Sequence, residues 1–172
     1  MKTKAIHLFI AVLFGLGVVL LRQFYSQADS ADLDFMLYPL QLLVSVFTGL
    51  HFIAMSEGYF HAGEDVLINA SCAGANFWLI CMSSWFGWML LSANSGRTLL
   101  LSLLWILPVS WAFALLVNAS RIALVIRLEA ALPGVAIPLN HFELGAVVYI
   151  SYLLASMLLL RKLTTQNTPS YV

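Results

Sequence analysis

Charge is scarce in this chain: only 9% of its 172 residues are Asp, Glu, Lys or Arg, against about 25% in a typical soluble protein. The eight basic and eight acidic residues cancel. With no basic face to neutralise a phosphate backbone, nucleic acid is not an expected partner. Cysteine is nearly absent too. Cys72 and Cys81 make no disulfide framework, and nine residues apart on one helix they do not have metal-ligand spacing, so no metal or cofactor is expected. What is abundant is apolar: 62% of the chain is hydrophobic, which excludes a water-soluble globule.

The few charges are unevenly spaced. None lies in 5–21, 35–56, 66–96, 98–120 or 144–160. A bilayer core of about 30 Å needs roughly 20 helical residues, and lipid leaves no open backbone group satisfied, so helix is the expected state. The reading is an all-α, polytopic membrane helical bundle forming one domain, with about five spans near 5–21, 35–55, 73–92, 98–117 and 142–160. Between them lie an acidic loop at 22–34, a polar segment at 56–71, a tight turn at Ala93–Arg97 and a longer stretch at 118–141. The run 122–132 is too short to cross. It is expected as a short interfacial or re-entrant helix, or as a continuation of the fourth span, ended by Pro133-Gly134. The tail 164–172 is expected to be disordered.

Lys2 and Lys4 ahead of the first apolar run, with Ser26-Gln27-Ala28 after it, resemble a signal peptide, but 17 apolar residues exceed the usual 7–15. The run is therefore read as a span. Short loops rich in Lys and Arg favour the cytoplasm. Placing Arg97, Arg161 and Lys162 inside also puts Arg22 inside and leaves Lys2 and Lys4 outside, so the N-terminus disagrees with the rest.

On the opposite face the ionisable residues are few: His61, Glu64, Asp65, Cys72, Arg121, Arg127, Glu129, His141 and Glu143. Cys72 follows Asn69-Ala70-Ser71, both ends of which suit a helix cap, and opens an apolar run. That placement puts its sulfur in a first helical turn, where the helix dipole favours the thiolate. Set against this, most free cysteines are small buried hydrophobes, which is the reading for Cys81. Arg121 follows a second Asn-Ala-Ser, Asn118 to Ser120, between apolar segments. A guanidinium at membrane depth costs about 2.5–3.5 kcal/mol, so it faces protein, a cavity or the head groups. Arg127 suits the head-group reading better. His141, in Asn140-His141-Phe142-Glu143 at the start of the last span, can shuttle protons near neutrality, and Glu143 can orient it. Gly74, Ala75, Ser83, Ser84 and Gly87 allow close helix approach, and the tryptophans read as interfacial anchors or packing.

Three motifs in order, Asn69-Ala70-Ser71-Cys72-Ala73-Gly74, Asn118-Ala119-Ser120-Arg121-Ile122 and Asn140-His141-Phe142-Glu143-Leu144-Gly145, resemble the exosortase/archaeosortase family of polytopic membrane cysteine transpeptidases. The resemblance covers roughly 65–160 and is nearest the short exosortase K branch. It departs from the family in the smaller number of spans and in the alanine at 73.

The resemblance implies a transpeptidase or peptidase of the bacterial inner membrane, its site on the extracytoplasmic face. Its implied partners are membrane lipid and proteins whose C-terminus carries a short motif, a transmembrane helix and a basic tail. It also implies Cys72 as nucleophile, Arg121 as oxyanion stabiliser and His141 as general acid and base, with Asn69, Asn118 and Glu143 in support. Two other classes fit the composition less closely. One is a non-enzymatic membrane scaffold in which Cys72 only packs. The other is a small transporter, which would want ionisable groups near mid-membrane.

Overall fold

The computed structural model describes residues 2–93, 95–131 and 141–166. The chain is mostly helical: α1 Lys2–Gln27, α2 Asp34–Thr48, α3 Ala75–Ser92, α4 Gly96–Ala131 and α5 His141–Gln166. Between α2 and α3 lies a three-stranded antiparallel sheet, β1 Ile53–Met55, β2 Gly58–His61 and β3 Val66–Ile68, followed by a 3₁₀ turn at Ala70–Cys72.

Among the described residues three helices are long and apolar enough to cross a membrane: Lys4–Gln27 of α1, α4 over its whole length, and Gly145–Thr164 of α5. Large apolar side chains on their outer faces are exposed, among them Leu8, Leu16, Leu104, Ile150 and Leu158. Such surfaces suit lipid rather than water. The chain is thus a membrane protein by its helices, with fewer clear spans than the five expected.

The expected second span, 35–55, is overturned. α2 stops at Thr48, where Gly49 takes a left-handed φ of 80° and donates its N–H to the Ser45 carbonyl at 2.8 Å. This glycine-closed end satisfies the last helical carbonyls. The apolar residues beyond it enter β1, because a short apolar run does not by itself distinguish strand from helix. Met55 pairs with Gly58 across a two-residue turn, and His61 pairs with Val66 across a loop in which Asp65 is left-handed, at φ 51°. Gly58 is required, since a Cβ there would meet the Ile68 carbonyl. The chain stays mostly helical, as the all-α reading expects, and this small sheet is an addition to it.

Of the two readings of 122–132, the structure gives the continuation of the fourth span and not a separate interfacial or re-entrant helix. Those residues up to Ala131 continue α4, which runs 36 residues without a break, about 54 Å at 1.5 Å per residue. Arginine is a good helix former, so Arg121 does not end it. Pro133-Gly134 lies outside the described residues. Buried Ile122 and Ile126 keep the distal part of α4 in the core with Met36, Leu37, Leu40 and Val44 of α2. Arg127 donates to the Phe47 carbonyl at 2.6 Å, so it caps the end of α2 rather than reaching only to head groups. The last helix reaches Gln166, so the expected disordered tail is helical at its start, and 167–172 lie outside the described residues.

α1 and α3 run antiparallel: Phe14 stacks on Phe86 at 3.9 Å, and Tyr25 meets Trp78 edge-on at 6.1 Å. Indole N–H groups lace α3 to its neighbours, from Trp78 to Ser110 at 3.0 Å, from Trp85 to Ser156 at 3.1 Å and from Trp88 to Thr164 at 3.2 Å. These three tryptophans are interhelical links. Gly87, by contrast, opens on empty space and serves no close approach.

One end of the bundle gathers the start of α1 against Gly96, together with the ends of α3 and α5. The other gathers the end of α1, the 3₁₀ turn, Arg121 and Gly145 around one cavity. Lys2, Lys4, Arg97, Arg161 and Lys162 fall at the first end. All eight acidic residues fall at the second, with Arg22, Arg121 and Arg127. Arg22 therefore sits at the Cys72 end, opposite Arg97, and the conflict over the N-terminus disappears because α1 runs the other way.

Candidate functional site

The Cys72 turn is built from short polar side chains. Oδ1 of Asn69 accepts from the Ser71 amide at 3.1 Å and the Ser71 hydroxyl at 2.7 Å, and the Cys72 amide donates to the Asn69 carbonyl at 2.8 Å. This Asn cap closes a tight turn ahead of α3. Gly74 then takes a left-handed φ of 73°, which only glycine adopts without strain. Cys72 is therefore not in the first turn of α3, contrary to expectation, since Ala73 and Gly74 intervene. Its half-buried sulfur lies 3.9 Å from both the Leu67 carbonyl and the Ser71 hydroxyl.

Outside the turn, Ser30 donates to the Glu57 carbonyl at 2.8 Å and accepts from the Ala70 amide at 3.1 Å. It joins the 28–33 loop, the hairpin and the Cys72 turn. The Tyr59 hydroxyl donates to Asp34 at 2.6 Å and so pins β2 to the start of α2. Burial, with the Asp34 hydrogen bond and charge adding to it, pushes the Tyr59 phenol up to about 12.

Asn118 on α4 is fully buried and fully partnered. Its amide nitrogen donates to the Cys72 carbonyl, and its oxygen accepts from the Tyr149 hydroxyl at 2.6 Å. The absence of a side chain at Gly74 admits it, since a Cβ there would stand 2.9 Å from the amide nitrogen. One turn on, the half-buried guanidinium of Arg121 lies over the Tyr149 ring, 5.4 Å from its centroid, a cation–π arrangement. Its side chain passes Gly145, where a Cβ would come within 3.3 Å of Cδ and Nη1. Tyr149 stacks on Phe77 at 4.4 Å with planes 12° apart.

Of the expected residues, Cys72, Asn69, Asn118 and Arg121 thus meet in one connected assembly. His141 opens α5 one turn before Gly145, and its side chain lies outside the described residues. Glu143 is exposed in the first turn of α5. His61 is engaged elsewhere, its Nδ1 2.7 Å from the His51 carbonyl. Among the described residues no three His, Cys, Asp or Glu side chains gather closely enough to hold a metal ion.

A cavity of about 730 Å³ adjoins this assembly between α1 and α5, lined in part by Arg22, Ser71, Gly74, Arg121 and Tyr149. Sequence reasoning missed Tyr149, Ser30 and Arg22. The signal for Tyr149 was its spacing, since Gly145 and Tyr149 are four residues apart and share a face of α5. Ser30 left no such trace, because its partners are 27 and 40 residues away.

Comparisons with protein-family models, with curated proteins and with solved structures find no match.

Proposed function

We propose that this chain is a membrane-embedded cysteine peptidase or transpeptidase acting on proteins with a C-terminal sorting signal, as the resemblance to exosortases implies. The observation that supports it is Asn118, which ties the Cys72 turn to Tyr149 beneath Arg121. In this reading His141 takes the Cys72 proton and the thiolate attacks the scissile carbonyl. Arg121 stabilises the tetrahedral oxyanion. Collapse breaks the C–N bond, the amine leaves with the proton held by His141, and a thioester remains. Water or an amine acceptor then attacks the thioester, gives its proton to His141 and restores the thiol. An oxyanion donor of this kind is worth about 10²–10³ in turnover.

The reading includes four crossings, by α1, α3, α4 and α5. With the basic end cytoplasmic, both termini lie inside and Cys72 faces outward, in the bacterial inner membrane. The test is processing of a cognate tailed substrate, where Cys72→Ala is expected to abolish cleavage and processing at the wild-type rate would refute the mechanism.

A second reading, a scaffold in which Cys72 only packs, draws on the sulfur's half-burial and its 3.9 Å contacts. A membrane-impermeant thiol reagent separates the two. A nucleophilic Cys72 labels faster than an ordinary thiol, while a packed one labels more slowly.

A further inference from the structure

The end of the bundle that carries all eight acidic residues contains a cavity with none of them in its lining. Two arginines line it instead, Arg22 from α1 and Arg121 from α4, while the hydroxyls of Ser26 and Ser71 beside them donate to the Gln23 carbonyl and to Oδ1 of Asn69. Its wall also includes the first turn of α3, from Ala75 to Phe77. The first helical bond there runs from the Trp78 amide to the Gly74 carbonyl at 3.0 Å, so the three preceding N–H groups have no intrahelical acceptor and the positive end of the helix dipole faces the same space. Donors from three helices thus converge on a volume that an anion would fill.

Depth identifies the anion. Arg22 and Ser26 lie in the last turns of the apolar stretch Lys4–Gln27, and Gly145 and Tyr149 lie at the start of Gly145–Thr164. The cavity therefore straddles the boundary of the apolar belt between two candidate spans, the level at which phospholipid phosphates lie. Its volume, about 730 Å³, far exceeds that of a phosphate group. The apolar Leu33, Phe77 and Ala146 in the same lining suit glycerol and the first methylenes of an acyl chain.

We propose that this cavity binds the phosphate head group of a membrane phospholipid, held by Arg22 and Arg121 together. The proposal goes beyond the peptidase reading and does not depend on the chemistry of Cys72. Arg22 is the residue it newly assigns. An arginine near a lipid phosphate contributes enough to change binding about fivefold.

The test uses the full-length protein in detergent, exposed to phosphatidylglycerol, to diacylglycerol with the same acyl chains, or to inorganic phosphate, with bound species read by native mass spectrometry. Phosphatidylglycerol is expected to be retained and diacylglycerol is not. Retention should fall about fivefold in Arg22→Gln and again in Arg121→Gln, persist in Arg22→Lys, and be unchanged in Arg97→Gln at the opposite end. Arg22 is exposed, so its replacement leaves the fold in place, which circular dichroism verifies. Equal retention of diacylglycerol would overturn the proposal, as would equal loss in Arg97→Gln or no loss in Arg22→Gln. Binding of inorganic phosphate without phosphatidylglycerol would also overturn it by assigning the cavity to a soluble anion.

Discussion

The side-chain amide of Asn118 donates to the backbone carbonyl of Cys72, 46 residues earlier in the chain. The bond fixes the peptide that follows the sulfur against α4, and the other end of the same amide takes the Tyr149 hydroxyl. Cys72, α4 and α5 are thereby held at one place by a single buried side chain. Loss of the cysteine leaves this frame intact, whereas loss of Asn118 dismantles it.

Asn118→Leu is accordingly expected to destabilise the protein more than Cys72→Ala. It strands a part-buried carbonyl and a part-buried hydroxyl, each costing up to about 1–3 kcal/mol. Asn118→Asp keeps the acceptor for Tyr149 and loses the donor to Cys72, so it should fall between the two. Thermal unfolding of the detergent-solubilised protein ranks the three.

Gly145→Ala tests the placement of Arg121. The added methyl would lie 3.3 Å from Cδ and Nη1 of Arg121, tighter than most methyl contacts, so the guanidinium must shift by a few tenths of an ångström over the Tyr149 ring. Alanine is also about 1 kcal/mol better than glycine inside a helix. Substrate processing should fall about tenfold or more while the melting temperature holds or rises. Unchanged processing would show that the position of Arg121 over Tyr149 is immaterial to activity.

Tyr59 gives a prediction at alkaline pH. Its folded-state phenol is pushed up to about 12, above the unfolded value near 10. A raised pKa contributes stability that is fully present below about pH 10 and is lost as pH climbs through about 12. The link between β2 and α2 should therefore loosen in that window. Tyr59→Phe should flatten the alkaline part of the stability curve, measured by unfolding at a series of pH values.

Reporter fusions test the orientation. Green fluorescent protein placed after Gln166 should fluoresce, and alkaline phosphatase inserted at Gly63 in the β2–β3 loop should be active. The reverse pattern would invert the assignment of the two ends.

The membrane character, α4 and α5 were legible because long uncharged runs have only one stable form in lipid. An Asn-Ala-Ser precedes both Cys72 and Arg121, but only the first caps a turn, since the second lies inside α4, where Asn118 reaches across to the Cys72 carbonyl. The sheet was not legible. Ile53 to Met55 is apolar like the helix before it, and the break depends on Gly49 adopting a left-handed φ that its neighbours do not announce. The direction of α1 was also hidden, since counting loop charges gave no way to weigh Arg22 against Lys2 and Lys4. Packing decides it, through Phe14 on Phe86 and Ile6 at Gly96. Tyr149 was missed for a simpler reason, since its spacing from Gly145 does not by itself set a tyrosine in an apolar span apart from packing until its hydroxyl finds Asn118.

The unbroken α4 also acts as a ruler. Asn118 stands 22 residues beyond Gly96, about 33 Å along the axis at 1.5 Å per residue, close to one hydrocarbon thickness. The helix that carries Asn118 and Arg121 thus sets their height by counting residues from the basic end. A turn added below Asn118 would lift the site about 5.4 Å toward water, and a turn removed would sink it by the same amount. A membrane-anchored partner would meet this site only where its own apolar helix ends at that height, so the length of the partner's helix is itself a criterion of fit.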